Sequence, residues 1–424
     1  MSRYCVIGAG AAGISALEQL RLAGYEVDCL EKSNRVGGHW HTDYEALHLI
    51  TSRDMTHFEG FPMPSHYPHF PSRDQVRQYI ESYARDCGHY EIIQFNTEVL
   101  SLEAAESDSA TGSAGWDVTT ARGTVRYDGV IVANGHLWDK KVPKVDGQFE
   151  GKQLHSSEYS NVDDIDGDRV LVVGAGNSGC DLAADLAQHR IDTDIVIRSG
   201  SYFQPKTYFG KPRQEIDFLA GFRSDEQDLL TRLLARISLG EADDYPGMPS
   251  PEHHTLAEGS TVVNDLLPYW IHHGRIRVVP AIERFDASCV HFVDGTSRTY
   301  DTILWATGFH ASLPFLDTQL VPRSGGTPIR SAAGILLPGL EKLYLVGMTA
   351  PRGPQIPIYG MQTKLVVRML ELNEQAGPGG AGITEYLSGL QEPESRIDIV
   401  RDIWLEQMND TSRLLDAFQA ASTT

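Results

Sequence analysis

Paired cysteines are missing from this chain. Its five cysteines (Cys5, Cys29, Cys87, Cys180 and Cys289) are scattered, odd in number and never spaced as Cys-x-x-Cys. That excludes a structural zinc knuckle and a dithiol redox centre, and it fits small buried thiols in a reducing cytoplasm. Basic residues are scarce as well: 36 Lys and Arg against 57 Asp and Glu leave a formal net charge of −21. Phosphate backbones and anionic lipid both require clustered Lys and Arg, so no nucleic-acid or membrane-surface partner is expected. No run approaches the roughly 18 apolar residues of a membrane span. The opening MSRYCVIGAGAAG has no basic segment leading into an apolar core, so no signal peptide is expected and the cytoplasm is the expected compartment.

What is present is an ordinary globular composition spread over 424 residues, enough for two or three domains. Residues 3–8 are an apolar run ending in Gly8-Ala9-Gly10-Ala11-Ala12-Gly13. Ile14, Leu17 and Leu20 then recur at helical spacing, Gly24 stops the helix, and a second strand runs from Glu26 to Leu30. The unit starts again at Arg169–Val173, with Gly174-Ala175-Gly176-Asn177-Ser178-Gly179, a helix over 180–189 and a strand at 194–197. Between them lie a long structured loop (34–70), a helix (73–87) and several short strands (97–132), with 107–115 as an exposed connection. Later expectations are a helix near 224–238, strands at 276–279, 289–293, 301–305 and 342–346, a helix over 361–373 and a linker over 373–382. The expected fold is α/β, with two Rossmann-like dinucleotide-binding domains, the second inserted into the first.

Glycine-rich turns are common, but a strand before and a helix after make these two dinucleotide cradles. In each, the first glycine makes the turn, the second lets a pyrophosphate approach, and the third lets helix and strand pack. The helix start supplies free N–H groups and a positive dipole end. The residue closing the second strand separates the copies. Glu31, 23 residues after Gly8, suits a ribose diol and repels a 2′-phosphate. Arg198, 24 residues after Gly174, with Ser199 beside it, suits a 2′-phosphate, the alternative being a solvated surface charge. The first cradle is therefore expected to take FAD and the second NADPH.

Just ahead of the second cradle stands Phe149-x-Gly151-x-x-x-His155-x-x-x-Tyr159. With both cradles and this string, the chain resembles the class B flavin-containing monooxygenases over roughly residues 4–372. Further matches are Gly37-Gly38-His39-Trp40, Thr51-Ser52-Arg53-Asp54-Met55 followed by FPMP (61–64), Arg198-Ser199-Gly200-Ser201, and Ala306-Thr307-Gly308-Phe309. The resemblance adds Lys32, Gly38, His39, Trp40, Thr51, Ser52, Arg53, Ser178, Thr307, Gly308 and Gln362 to the expected cofactor contacts. It divides the chain into an FAD-binding part (1–160 and 300–372), an NADPH-binding part (161–299) and a helical C-terminal segment (373–424). It implies that NADPH reduces FAD, that oxygen adds at the flavin C4a, and that a small molecule's nucleophilic N or S takes one oxygen atom. A homodimer is among the assemblies it implies.

The fingerprint ends in Tyr159, as in heteroatom-oxygenating members, and not in the Trp usual among Baeyer–Villiger enzymes. One position departs from the family: Ile50 stands where Asn-Thr-Ser-Lys-Glu-Met has its asparagine. That asparagine is implied to help hold the oxygenated flavin. Ile50 donates no hydrogen bond, so either Asn177 or a backbone amide substitutes, or NADPH is lost to peroxide. Ile50, Asn177 and Tyr159 are thus the catalytic candidates. The histidines at 39, 41, 48, 57, 66 and 69 read as polar packing, and no metal is expected. A disulfide reductase is disfavoured by the missing dithiol; a Baeyer–Villiger enzyme and a redox-sensing FAD–NADPH binding protein stay open.

Overall fold

The computed structural model describes residues 2–105, 115–376 and 382–422; most of the expected 107–115 connection and the middle of the 373–382 linker lie outside these. Two five-stranded sheets, parallel throughout, dominate the fold. The first runs in the order Leu343–Leu345, Gly129–Val132, Arg3–Ile7, Glu26–Leu30, Ile93–Gln94. The second runs Ile276–Val279, Asp192–Val196, Arg169–Val173, Thr302–Trp305, Lys152–His155.

Both central strands are continuous apolar runs because each sheet is covered on both faces. Successive side chains point to opposite faces. Tyr4 and Val6 therefore join the core under the helix Ala11–Leu22, while Cys5 and Ile7 join one shared with Val99, Leu102, Trp116 and Val118. The second sheet repeats this. Val170 and Val172 pack toward the helix Asn177–Gln188, and Leu171 and Val173 toward Phe285, Val290 and Phe292 of a three-stranded antiparallel layer.

The expected helices appear at Arg73–Asp86 and Ser224–Leu239, while the one expected over 361–373 is longer, at Gln355–Ala376. The strands Lys152–His155 and Thr302–Trp305 pair with each other and extend the second sheet. Lys-Gln-Leu-His has no apolar run to mark it as a strand; tertiary pairing makes it one.

The chain passes between the sheets at Asp139–Lys140 and Phe309–His310, which pair antiparallel. Lys141 N–H donates to the Gly308 carbonyl at 2.9 Å, and the Thr307 hydroxyl donates to the Lys141 carbonyl. After the helix Gln355–Ala376, the chain returns through Ile383–Leu390 and the strand Asp398–Ile399, which pairs with Ala350–Pro351, into the helix Arg401–Ser422.

Candidate functional site

A cavity of about 1770 Å³ opens between the two sheets. Single-ligand pockets hold roughly 300–1,000 Å³, so this one has room for more than one ligand. Its walls include Gly8, Gly10, Ala11, Ala12, Glu31, Lys32, Gly38, His39 and Trp40 from the first half of the chain, with Ile50 and Thr51 beside them. From the second half come Asn177 and Ser178.

The glycines of the first turn have separate reasons to be glycine. A Cβ on Gly8 (φ +104°) would lie 2.6 Å from the Ala133 carbonyl oxygen, and one on Gly13 would lie 1.9 Å from the Gly8 carbonyl oxygen. Those two serve the turn itself. Gly10 has φ −74° and ψ −177°, extended geometry open to any residue, and its Cβ would come no nearer than 3.8 Å to the Gly38 Cα. The empty space beside Gly10 belongs to the cavity. The second turn repeats the division: Gly174 (φ +106°) and Gly179 are closed off by Ala306 O and Gly174 O, and Gly176 meets nothing within 4 Å. Both helices start without a side-chain cap, leaving their first N–H groups for a ligand. A dinucleotide pyrophosphate fits both cradles.

Glu31 is buried, and its two oxygens accept from Ala9 N–H at 2.6 Å and Ser33 N–H at 2.7 Å. One bond per oxygen leaves lone pairs toward the cavity for a ribose diol. Lys32 lies over the Trp138 ring at 4.4 Å. His39 Nδ1 bonds Asp43 Oδ2 at 2.5 Å and its ring leans on Trp40. Arg198 and Ser199 are exposed past the end of the strand Asp192–Val196, and among the described residues nothing pairs with the guanidinium. Neither lines the cavity, and neither do Gly174 and Gly176; that turn meets the cavity through Asn177 and Ser178.

Several expected contacts sit elsewhere. Tyr159 is fully buried in the second core, its hydroxyl donating to Asp185 Oδ2 at 2.6 Å, and it is not among the residues of the cavity wall. His155 holds the inter-sheet crossing through its Nε2 and the Gly308 carbonyl at 3.0 Å. Burial lowers its pKa, so the ring is the neutral donor there. Arg53 is spent on the Ser65 and Tyr67 carbonyls, and Gln362, fully buried, accepts from Gly347 N–H at 3.0 Å. Ser52, Thr307 and Gly308 likewise stand outside the walls. The histidines at 41, 48 and 57 bond the carbonyls of Val36, Ala46 and Phe58.

Asn177 is fixed by its oxygen, which accepts from Val263 N–H at 2.9 Å. Because that partner is a donor, the amide NH₂ is the other arm and is free to donate. One helical turn on is Asp181, which the sequence reading missed although the i, i+4 spacing puts it on the same face. Its carboxylate lines the cavity and accepts from Tyr44 Oη at 2.9 Å and Asn264 Nδ2 at 2.7 Å. Burial pushes its pKa up from 3.8 to about 6, with Lys206 opposing. His136, also in the wall, is driven down to about 4 by burial and stays neutral.

An acid whose pKa rises on folding binds more protons folded than unfolded across the interval between the two values. Its contribution to stability is therefore best below about pH 4 and worsens as pH climbs to about 6. Asp181→Asn is expected to stabilise the protein at pH 7 by about 1–3 kcal/mol and to do little at pH 4. Melting curves at the two pH values check this; an equal effect at both would mean the carboxyl is not held protonated.

The first glycine turn and the helix start after the second line one cavity, and this pair of dinucleotide cradles defines a paired-nucleotide oxidoreductase. The flavin-binding monooxygenase-like family matches residues 1–378, and the chain belongs to that family. It is a flavin-dependent monooxygenase, and its cofactors are FAD and NADP(H). It is 29% identical over 397 residues to flavin-containing monooxygenase 3 of Canis lupus familiaris, covering 87% of this chain and 74% of that protein. With flavin-containing monooxygenase 5 of Oryctolagus cuniculus the identity is 27%, over 97% of this chain and 82% of that one. Among known structures, the flavin-containing monooxygenase from Stenotrophomonas maltophilia superposes with a TM-score of 0.68 at 21% identity, covering 88% of this chain and 99% of that one. The open form of cyclohexanone monooxygenase gives 0.68 at 18%, covering 100% and 97%. The fold is shared with both. No helix among the described residues is long and apolar enough to cross a membrane.

Proposed function

We propose that this protein oxygenates a nucleophilic nitrogen or sulfur atom of a small molecule, with FAD in the first cradle and NADPH in the second. The observation that carries the reading is the shared cavity: the first turn, Ile50 and Asn177 line one space. When bound, the flavin supplies the activation of dioxygen. The chain supplies the rest. Glu31 orients a ribose diol, the two uncapped helix starts hold pyrophosphates, and Arg198 with Ser199 reads the 2′-phosphate. Ile50, half-buried in the wall, keeps water out. The NH₂ of Asn177 offers a fixed hydrogen-bond donor where charge develops. A screen of amines, thioethers and ketones with product analysis tests the reading, and preferential conversion of ketones to esters would overturn it.

Ile50→Asn probes how far the dry wall lacks a donor. The exchange is close to volume-neutral, and one added hydrogen bond of about 1 kcal/mol is expected to lengthen the oxygen-dependent transient in flavin absorbance several-fold and to lower peroxide yield. Stopped-flow absorbance with a peroxide assay measures both. If neither changes, Ile50 is packing and oxygen control rests on Asn177.

A further inference from the structure

The cavity wall also carries a cation with no counter-charge. Arg213 follows the short hairpin Thr207–Tyr208 with Lys211–Pro212 and reaches into the wall beside Gln204. Its Nη1 donates to Gln204 Oε1 at 2.9 Å, its backbone N–H donates to the Lys206 carbonyl at 3.0 Å, and its buried Nε has no acceptor. Among the described residues no carboxylate pairs with it. Tyr208, beside it, is neutral, because burial pushes its hydroxyl up to about 12. Burial alone pulls the guanidinium below its ordinary value. A half-buried guanidinium with only an amide for company is costly, and such charges are retained where something pairs with them.

Arg401 also lines the cavity with a buried Nη1 that has no acceptor, but it has the acid Asp402 next to it. Arg213 has none. Its location is informative. The strand Tyr202–Gln204 pairs with Thr261–Val263, placing Gln204 opposite Val263, whose N–H holds Asn177. Arg213 thus connects through Gln204 and Val263 to the residue expected beside the reacting atoms. The glycine turns and Arg198 already provide for the cofactors' phosphates.

We propose that Arg213 recognises the carboxylate of an anionic substrate, so that the molecules oxygenated here carry a carboxylate together with the nucleophilic nitrogen or sulfur. A guanidinium–carboxylate pair would use Nη2, which has no hydrogen-bond partner among the described residues, and fix the substrate's orientation. The proposal rests on the monooxygenase reading of the cavity and names its substrate class.

The test is calorimetric titration of the protein holding FAD and NADP⁺ with methylthioacetate and, separately, with the neutral methylthioacetamide. The carboxylate is expected to bind about 10- to 100-fold more tightly. In Arg213→Met the two should bind alike, and in Arg213→Lys part of the preference should return, with bound FAD showing that both variants are folded. Equal binding of the two compounds by the wild-type protein overturns the proposal whatever the variants do. A loss of NADP⁺ affinity in Arg213→Met, with the carboxylate preference intact, also overturns it and assigns Arg213 to a cofactor phosphate. Because binding needs no turnover, these outcomes are separate from failure of the monooxygenase reading. That failure would appear as NADPH and oxygen yielding no oxygenated product from either compound.

Discussion

Gly10→Val protein is expected to fold and yet to be colourless on purification. The backbone at Gly10 has ordinary extended angles, and the nearest atom to an added Cβ is the Gly38 Cα at 3.8 Å, so the protein itself tolerates a side chain there. The branched side chain would instead fill the space in front of the helix start, where a pyrophosphate has to approach the N–H groups. Loss of that approach removes several charge-assisted hydrogen bonds together, each worth about 1.5–3 kcal/mol. Absorbance near the flavin band after reconstitution with FAD, read beside circular dichroism, is the measurement. Yellow, saturable Gly10→Val would mean that the cradle is not where FAD binds. Gly13→Ala separates the two roles of glycine. Its Cβ would lie 1.9 Å from the Gly8 carbonyl oxygen, so this variant should lose the turn itself and melt early.

Arg198→Ala is expected to lower kcat/KM for NADPH by about 10- to 100-fold and to leave NADH almost unaffected, since one charge-assisted contact to phosphate is worth about 1.5–3 kcal/mol. The guanidinium is exposed and unpaired among the described residues, so its removal breaks no contact of the fold. Such isolation makes the cofactor ratio a clean readout, because stability and FAD content should not move. Steady-state kinetics with both nucleotides check it, and an unchanged ratio would return Arg198 to the status of a solvated surface charge.

The parts of the fold legible in the sequence were those that local physics specifies. Continuous apolar runs at 4–7 and 170–173, each followed by glycine turns and helical periodicity, could hardly be anything but central parallel strands of doubly covered sheets. Glu31 was legible because strand length fixes where the second strand ends. The Phe149–Tyr159 string was legible as a lineage marker, but its chemistry was not. Only the structure shows that its members brace the crossing between the sheets and the core behind it. Asp181 and Arg213 differ in this respect. Helical spacing from Asn177 would have flagged Asp181, whereas nothing nearby in sequence foretells that the hairpin before Arg213 turns its guanidinium inward.

The family match stops at residue 378, but the cavity wall does not: Asp398, Val400, Arg401 and Asp402 belong to it. Arg352 grips Asp398 on one side and the Leu256 and Gly259 carbonyls on the other, joining the last part of the chain to the insert. The same segment also carries Trp404, Met408, Leu415 and Phe418, which are buried in the core shared with Ile14 and Leu17. One side of it is thus chamber wall and the other is foundation. Variation that reshapes the chamber without unseating the fold is confined to its cavity-facing positions, Asp398, Val400, Arg401 and Asp402.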